Sequence, residues 1–105
     1  MDYKKDYDWQ QEKTRQISVA REIKNNYANL LSIKFKNQGV KMGSGAISYD
    51  VELNDSHFEL NGVSYFGEDN INSGGSYDPQ KGKLVYGKTV QKINVSLSDG
   101  EVVKE

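Results

Sequence analysis

Apolar and polar residues alternate along the middle of the chain. In the second half of the segment from Ala46 to Leu53, every second residue is apolar, at Tyr49, Val51 and Leu53. Alternation with a period of two is typical of a β-strand that has one buried and one solvated face. The residues Asn54-Asp55-Ser56 favour a turn, and a second alternating run extends from His57 to about Phe66. The pattern therefore predicts an antiparallel pair of strands at the centre of a small sheet.

Between about Trp9 and Leu31 the spacing of apolar residues changes to three and four. The residues on this stripe are Ile17, Ala20, Ile23, Tyr27 and Leu30. Such spacing predicts an amphipathic helix, and the stretch contains neither Pro nor Gly. Asp8 precedes the helix and is a candidate N-cap. The polar residues on the other side, including Glu12 and Gln16, are expected to form a solvated face.

Period-two alternation returns after the helix, with Ile33 and Phe35 in a first strand. The pair Asn61-Gly62 interrupts the strand that starts at His57, and we interpret it as a β-bulge rather than a hairpin tip. Two further strands are predicted near the end of the chain. Their apolar residues are Leu84 and Tyr86 in one strand, and Ile93, Val95 and Leu97 in the other. The tail from Val102 to Glu105 is expected to fray.

One helix followed by alternating strands predicts an α+β fold. We expect the N-terminal helix to pack on a curved antiparallel sheet of about five strands. A length of 105 residues suits one domain, which we assign to residues 11–105. Residues 1–10 combine mixed charges with no apolar periodicity and are predicted to be a flexible stem. The segment from Gly67 to Lys83 contains the single proline and four glycines, and is predicted to be a long loop.

The charges are balanced in number but not in position. The chain has 14 Lys and Arg against 15 Asp and Glu, yet Lys and Arg are absent between Met42 and Gln80. An acidic sheet surface does not suit phosphate backbones, so nucleic-acid binding is disfavoured. It suits a cationic partner, either a protein or a cell-wall component. The chain has no cysteine, which excludes disulfides, thiolate catalysis and cysteine metal sites.

The candidates for chemistry are few. His57 lies at a turn, where Asp55 and Ser56 are its neighbours in sequence rather than partners in a triad. Glu68 and Asp69, with nearby asparagines, offer oxygen ligands for calcium, but their spacing does not match an EF-hand loop. We therefore predict no catalytic residue, no metal site and no cofactor, and we expect the protein not to be an enzyme.

A binding surface is the better prediction. The carboxylates Asp50, Glu52 and Glu59 are expected on the outer face of the two central strands, and they lie in the acidic window. Aromatic residues beside the long loop are the other candidates, because aromatic residues are enriched where proteins bind partners. The predicted binding residues are Asp50, Glu52, Glu59, Tyr65, Glu68, Asp69 and Tyr77. For Tyr65 the alternative is an inward position in the core.

Short motifs along the chain resemble a known group of proteins. The motifs are Ile23-Lys24-Asn25-Asn26-Tyr27, Leu31-Ser32-Ile33-Lys34-Phe35, Met42-Gly43, Asn54-Asp55 and Phe58. They resemble the extracellular domains of small Gram-positive lipoproteins of unknown function. The resemblance implies a precursor with a signal peptide and a lipid-modified cysteine, and therefore an extracellular domain anchored to the membrane only through that lipid. The lipid-bearing cysteine is absent from this sequence, and no stretch is apolar enough to span a bilayer.

We expect a non-catalytic, monomeric binding domain on the cell surface. It would recognise a protein or cell-wall partner through the acidic sheet face and the loop from Gly67 to Lys83. The alternative is an immunity or inhibitor protein that blocks a secreted toxin or enzyme, since the same charges would face a basic active site. A small hydrolase that uses buried carboxylates is a weaker third hypothesis.

Overall fold

A computed structural model describes residues 8–74 and 84–105. Within these ranges the chain forms one helix and seven strands. They are α1 (Trp9–Asn26), β1 (Ser32–Phe35), β2 (Val40–Lys41), β3 (Ile47–Leu53), β4 (Phe58–Gly67), β5 (Asn70–Asn72), β6 (Asn94–Ser96) and β7 (Val102–Lys104). The strands form one open sheet in the order β5-β4-β3-β1-β6-β7, and β2 pairs with β3 in line with β1. The predicted α+β fold is confirmed.

Helix α1 begins as predicted, with Asp8 as its N-cap. The Asp8 carboxylate accepts hydrogen bonds from the backbone N–H groups of Gln10 and Gln11, at 3.0 and 3.5 Å. Such a cap satisfies N–H groups that have no partner within the helix. Trp9 and Gln10, which the sequence assigns to the stem, are therefore the first two residues of α1. Residues 1–7 of the predicted stem lie outside the described residues.

The buried stripe of α1 is longer and more polar than the apolar pattern indicates. Val19, Ala20 and Ile23 are buried on this stripe, and so are Glu12 and Gln16. These positions differ by three or four residues, so all of them lie on the same side of the helix. The predicted solvated position of Glu12 and Gln16 is therefore wrong, because both side chains have partners inside the fold.

The central pair of strands and its bulge are confirmed. β3 and β4 are antiparallel, with Tyr49 opposite Val63 and Val51 opposite Leu60. The two residues Asn61 and Gly62 therefore lie opposite the single residue Asp50, which defines a β-bulge. Gly62 has a φ of 77°, a conformation that glycine adopts without strain. Its N–H donates to the Asp50 carboxylate at 2.9 Å.

The end of the chain differs most from the prediction. β1 pairs with β6 in parallel, so the sheet is mixed rather than wholly antiparallel. The tail, which was expected to fray, is β7 and pairs with β6 along its length. The strand predicted around Leu84 and Tyr86 is absent from the described residues, where Tyr86 makes only an isolated bridge to Tyr27. The predicted loop, in turn, contains β5.

The core lies between α1 and one face of the sheet. Most of the predicted core residues are buried in a single cluster that also includes Val19, Val63 and Leu84. Ile17 and Phe58 are half-buried at its margin, whereas Tyr86 is 75% exposed and stacks on the buried ring of Tyr27. No described element covers the opposite face of the sheet, which we call the open face. In the described part of the chain, no helix is long and apolar enough to span a membrane.

Candidate binding surface on the open face

The open face is built from residues that point away from α1 on neighbouring strands. One row across the sheet is defined by direct cross-strand partners. It runs Glu59, Glu52, Lys34, Ser96 and Val102 through β4, β3, β1, β6 and β7. The row puts two carboxylates and one ammonium group side by side, because direct partners lie about 5 Å apart.

A shallow groove follows this face. Two adjoining concavities, of about 340 and 490 Å³, share Lys34, Glu52 and Ser96 as lining residues. The first extends toward the turn between β3 and β4, where Asp55 lines it, and the second extends toward Lys36. We call the two together the sheet groove. The groove brings four of the row residues, Glu52, Lys34, Ser96 and Val102, within reach of a bound molecule.

The acidic residues of the face are paired unequally. The ammonium group of Lys36 lies 2.8 Å from the Glu59 carboxylate. The hydrogen bond and negative charge of Glu59, with smaller contributions from Glu52 and Asp50, raise the pKa of Lys36 above its usual range. Lys34 and Glu52 have no ion-pair partner within 4.0 Å among the described residues. Two opposite charges therefore line the groove without forming a salt bridge among the described residues.

The predicted carboxylates thus share their face with lysines. Asp50, Glu52 and Glu59 do occupy the outer side of the central strands, as expected from the alternation. Lys34 is part of β1, and Lys36 directly follows this strand. β1 lies outside the acidic window of the sequence, but it pairs with β3 in the sheet. The face therefore carries both signs of charge, and it is less acidic than the window alone indicates.

A strained turn closes one end of the groove. The three consecutive residues Asn54, Asp55 and Ser56 have φ values of 55°, 57° and 74°, which residues other than glycine adopt at a cost. The side chain of Asn54 accepts from the Leu31 N–H at 2.7 Å, and the Asp55 N–H donates to the Ser32 hydroxyl at 3.1 Å. These bonds tie the turn to the start of β1 and hold Asp55 at the groove.

The remaining predicted binding residues lie elsewhere. Tyr65 is half-buried against the core, on the helix side of the sheet, as the alternative reading of this residue expected. Glu68 and Asp69 form the exposed turn between β4 and β5, where they line a cavity of about 270 Å³ with residues of α1, including Arg21. Tyr77 lies outside the described residues. The seven predicted residues therefore do not form one surface.

His57 is exposed, and its Nδ1 lies 2.7 Å from the carbonyl oxygen of Asn54. This contact orients the ring at the end of the turn, and no nucleophile is positioned by it. Among the described residues, no three His, Asp or Glu side chains are close enough together to hold a metal ion.

A buried polar network, which the sequence pattern did not indicate, lies on the opposite side of the sheet. One oxygen of Glu12 accepts from the Tyr49 hydroxyl at 2.9 Å and from the Arg15 guanidinium at 3.0 Å. The other accepts from the Gln16 amide at 2.8 Å and from the Gly39 N–H at 2.7 Å. A buried carboxylate is stable only when it is bonded in this way. The close packing of Gly39 could not be recognised from periodicity.

The network perturbs two of its titratable groups. Burial, followed by the charge of Glu12 and the hydrogen bond to it, raises the pKa of the Tyr49 hydroxyl well above its usual range. Burial lowers the pKa of Arg15, but hydrogen bonds with Tyr49 and Glu12 outweigh that effect and the net shift is upward. Both groups therefore keep their protons, and the network supports the fold rather than proton transfer.

Comparison with known proteins identified no relative of this chain. No protein-family model, curated protein or solved structure matches the chain.

Proposed function

We propose that this protein is a non-catalytic binding domain that recognises a partner protein through the sheet groove. The observation that carries the proposal is the position of two opposite charges, Lys34 and Glu52. Neither forms a salt bridge among the described residues, and both lie on a sheet face that no described element covers. Most charged side chains at a folded surface gain little from a neighbour, because water solvates them well. In a groove that a partner closes, the same charges lose water and select a partner with complementary charges.

The polar residues around the two charges support a protein partner. Ser32, Ser96 and Asn94 line the groove and supply hydroxyl and amide groups that can bond a polypeptide backbone. A positively charged group of the partner would face Glu52, which agrees with the basic partner that the acidic window predicts. The mixed charges also favour a polypeptide over a uniformly charged polymer, because a polypeptide presents both signs at short spacing.

We place this domain on the surface of a Gram-positive cell, as a monomer outside the membrane. The support for this part of the proposal is the resemblance of the motifs around Tyr27, Phe35 and Asn54 to small lipoproteins. In that setting the open face would be directed at molecules of the envelope or of the medium.

The test is capture of a partner from native envelope and secreted fractions, with the folded protein as bait. We expect Lys34→Gln and Glu52→Gln to reduce the captured protein at least tenfold, and low salt to strengthen capture. The matched control is Lys88→Gln, an exposed lysine that does not line the groove, which should capture as the wild type does. Urea denaturation of each variant shows that folding is intact.

Each other outcome has a clear meaning. Equal capture by the wild type and the two groove variants would overturn the proposal. Loss of capture on Glu68→Gln alone would move the site to the turn between β4 and β5. Retention on purified cell-wall polymer, without a protein partner, would also contradict a protein-binding role. A tight one-to-one complex with a secreted enzyme, lost in the groove variants, would identify the binding domain as an inhibitor.

A further inference from the structure

We infer that the sheet groove binds an extended peptide segment in one orientation, with a basic side chain at the turn between β3 and β4 and an acidic side chain at the Lys34 and Lys36 end. This inference rests on the proposed function and specifies the ligand of the same site. It follows from three features: the order of the charges along the groove, the fixed position of Asp55 and the spacing of the strand residues.

The charges that belong to one end of the groove only differ in sign. Asp55 lines the turn end and Lys36 lines the other end, whereas Lys34 and Glu52 line both. Lys36 is held by Glu59, so Lys34 is the cation without a charged partner. A ligand with one charge of each sign gains from both ends only when its cation lies toward the turn.

The turn holds Asp55 in place at the cost of backbone strain. Three consecutive residues in the left-handed region fix the backbone of this short turn, and Asn and Asp adopt that region more readily than other residues with side chains. Asp55 is exposed, so its carboxylate is accessible to a ligand at the turn end of the groove. The Ser32 hydroxyl, which accepts from the Asp55 N–H and lies 3.4 Å from its carboxylate, keeps the residue beside the groove.

The spacing of the residues suits an extended peptide. Ser32, which contacts Asp55, and Lys34 are two positions apart on β1, so about 7 Å separates them along the strand. In an extended ligand, side chains two positions apart point the same way and have the same separation. A basic and an acidic residue with one residue between them would therefore reach Asp55 and Lys34 at once.

The experiment uses synthetic pentapeptides and the isotope-labelled protein. The probe is acetyl-Thr-Lys-Thr-Glu-Thr-amide, and the neutral control replaces Lys and Glu by Gln. We expect the probe to shift the NMR signals of Lys34, Glu52 and Asp55, and the neutral peptide to bind at least threefold more weakly. Asp55→Asn, which tolerates the left-handed conformation, and Lys34→Gln should each weaken the probe at least threefold, whereas Glu68→Gln should not.

A nitroxide label next to the lysine of the probe tests the orientation. Signal broadening should be strongest at Asp55 and Ser56 and weak at Lys36 and Gly100, at the other end of the groove. Broadening at the Lys36 end, equal binding of the neutral peptide, or no shift with either peptide would overturn the inference. If capture of the partner still depends on Lys34 and Glu52 while the peptides fail, only this inference falls. If the peptides bind but capture ignores both residues, the proposed function falls.

Discussion

Gly39 shows how one residue can set the fit between helix and sheet. Its N–H donates to the buried Glu12 carboxylate, and its Cα faces the ring of Tyr49. A Cβ at this position would lie 2.8 Å from the Tyr49 hydroxyl oxygen, which is itself bonded to Glu12. The absence of a side chain therefore permits the loop, the strand and the helix to meet at one carboxylate.

We predict that Gly39→Ala destabilises the protein by about 2 kcal/mol, because overpacking of a core forces neighbours to move. Urea denaturation measures the loss. The matched control is Gly43→Ala, since a Cβ there would have no atom within 4 Å and the backbone is not left-handed. The control should change the free energy of unfolding by less than about 0.5 kcal/mol. Equal effects for the two variants would contradict the role given to Gly39.

At the scale of elements, the segment between residues 84 and 93 is not a strand, and hydrogen bonds to other parts of the chain hold it in place. Thr89 is buried, and its hydroxyl accepts from the Leu30 N–H at 3.0 Å and donates to the Tyr27 carbonyl at 2.8 Å. The Thr89 N–H also donates to the carbonyl of Lys24. Thr89 thus helps to fasten the segment that precedes β6 to the end of α1, together with the Lys24 ammonium group, which donates to the Gln91 carbonyl.

Thr89→Val keeps the shape of the side chain and removes the hydroxyl. It should cost roughly 2 kcal/mol, because a buried N–H group loses its partner. The control is Thr14→Val, whose hydroxyl is exposed and donates to the Gln10 carbonyl, and which should stay within about 0.5 kcal/mol. Thermal or urea unfolding measures both variants. A Thr89→Val protein as stable as the wild type would show that water or a backbone shift replaces the hydroxyl.

At the scale of the whole molecule, the two faces of the sheet differ in composition. The helix face contains the apolar cluster and the Glu12 network, which also reaches the turn after β6 because Gln16 bonds Ser98 at 2.8 and 3.0 Å. The open face contains the sheet groove and its unpaired charges. Stability should therefore depend on the helix face and binding on the open face.

The raised pKa of Tyr49 gives the helix face a pH dependence. Below the ordinary tyrosine pKa of 10.0 the hydroxyl keeps its proton in both the folded and the unfolded chain, so its hydrogen bond contributes fully. Above that pH the unfolded chain loses the proton first, which favours unfolding by up to about 1.4 kcal/mol per pH unit. We predict that the stability advantage of the wild type over Tyr49→Phe shrinks as pH rises through this range.

Urea denaturation of the two proteins between about pH 8 and pH 11 measures this difference. The other tyrosines and the lysines are common to both proteins, so their titration cancels. Tyr65→Phe is a suitable control, because Tyr65 is half-buried and its hydroxyl has no hydrogen bond among the described residues. Parallel curves for the wild type and Tyr49→Phe would contradict the prediction.

The site was only partly accessible from the sequence. Alternation correctly assigned Asp50, Glu52 and Glu59 to the outer face, because successive side chains of a strand point to opposite faces of the sheet. It did not bring Lys34 beside Glu52, since that pairing joins residues from different strands. Lys34 stands outside the acidic window, so counts along the chain overstate the negative charge of the face.

The features of the fold that depend on short-range order could be predicted from the amino-acid sequence alone. The N-cap at Asp8, the helix stripe around Ile23, the two central strands and the bulge at Gly62 all follow from local periodicity and backbone preference. The parallel pairing of β6, the order in the tail and the burial of Glu12 became visible in the folded chain. These depend on contacts between distant segments, where a strand gains hydrogen bonds or a charge gains partners that no nearby residue supplies.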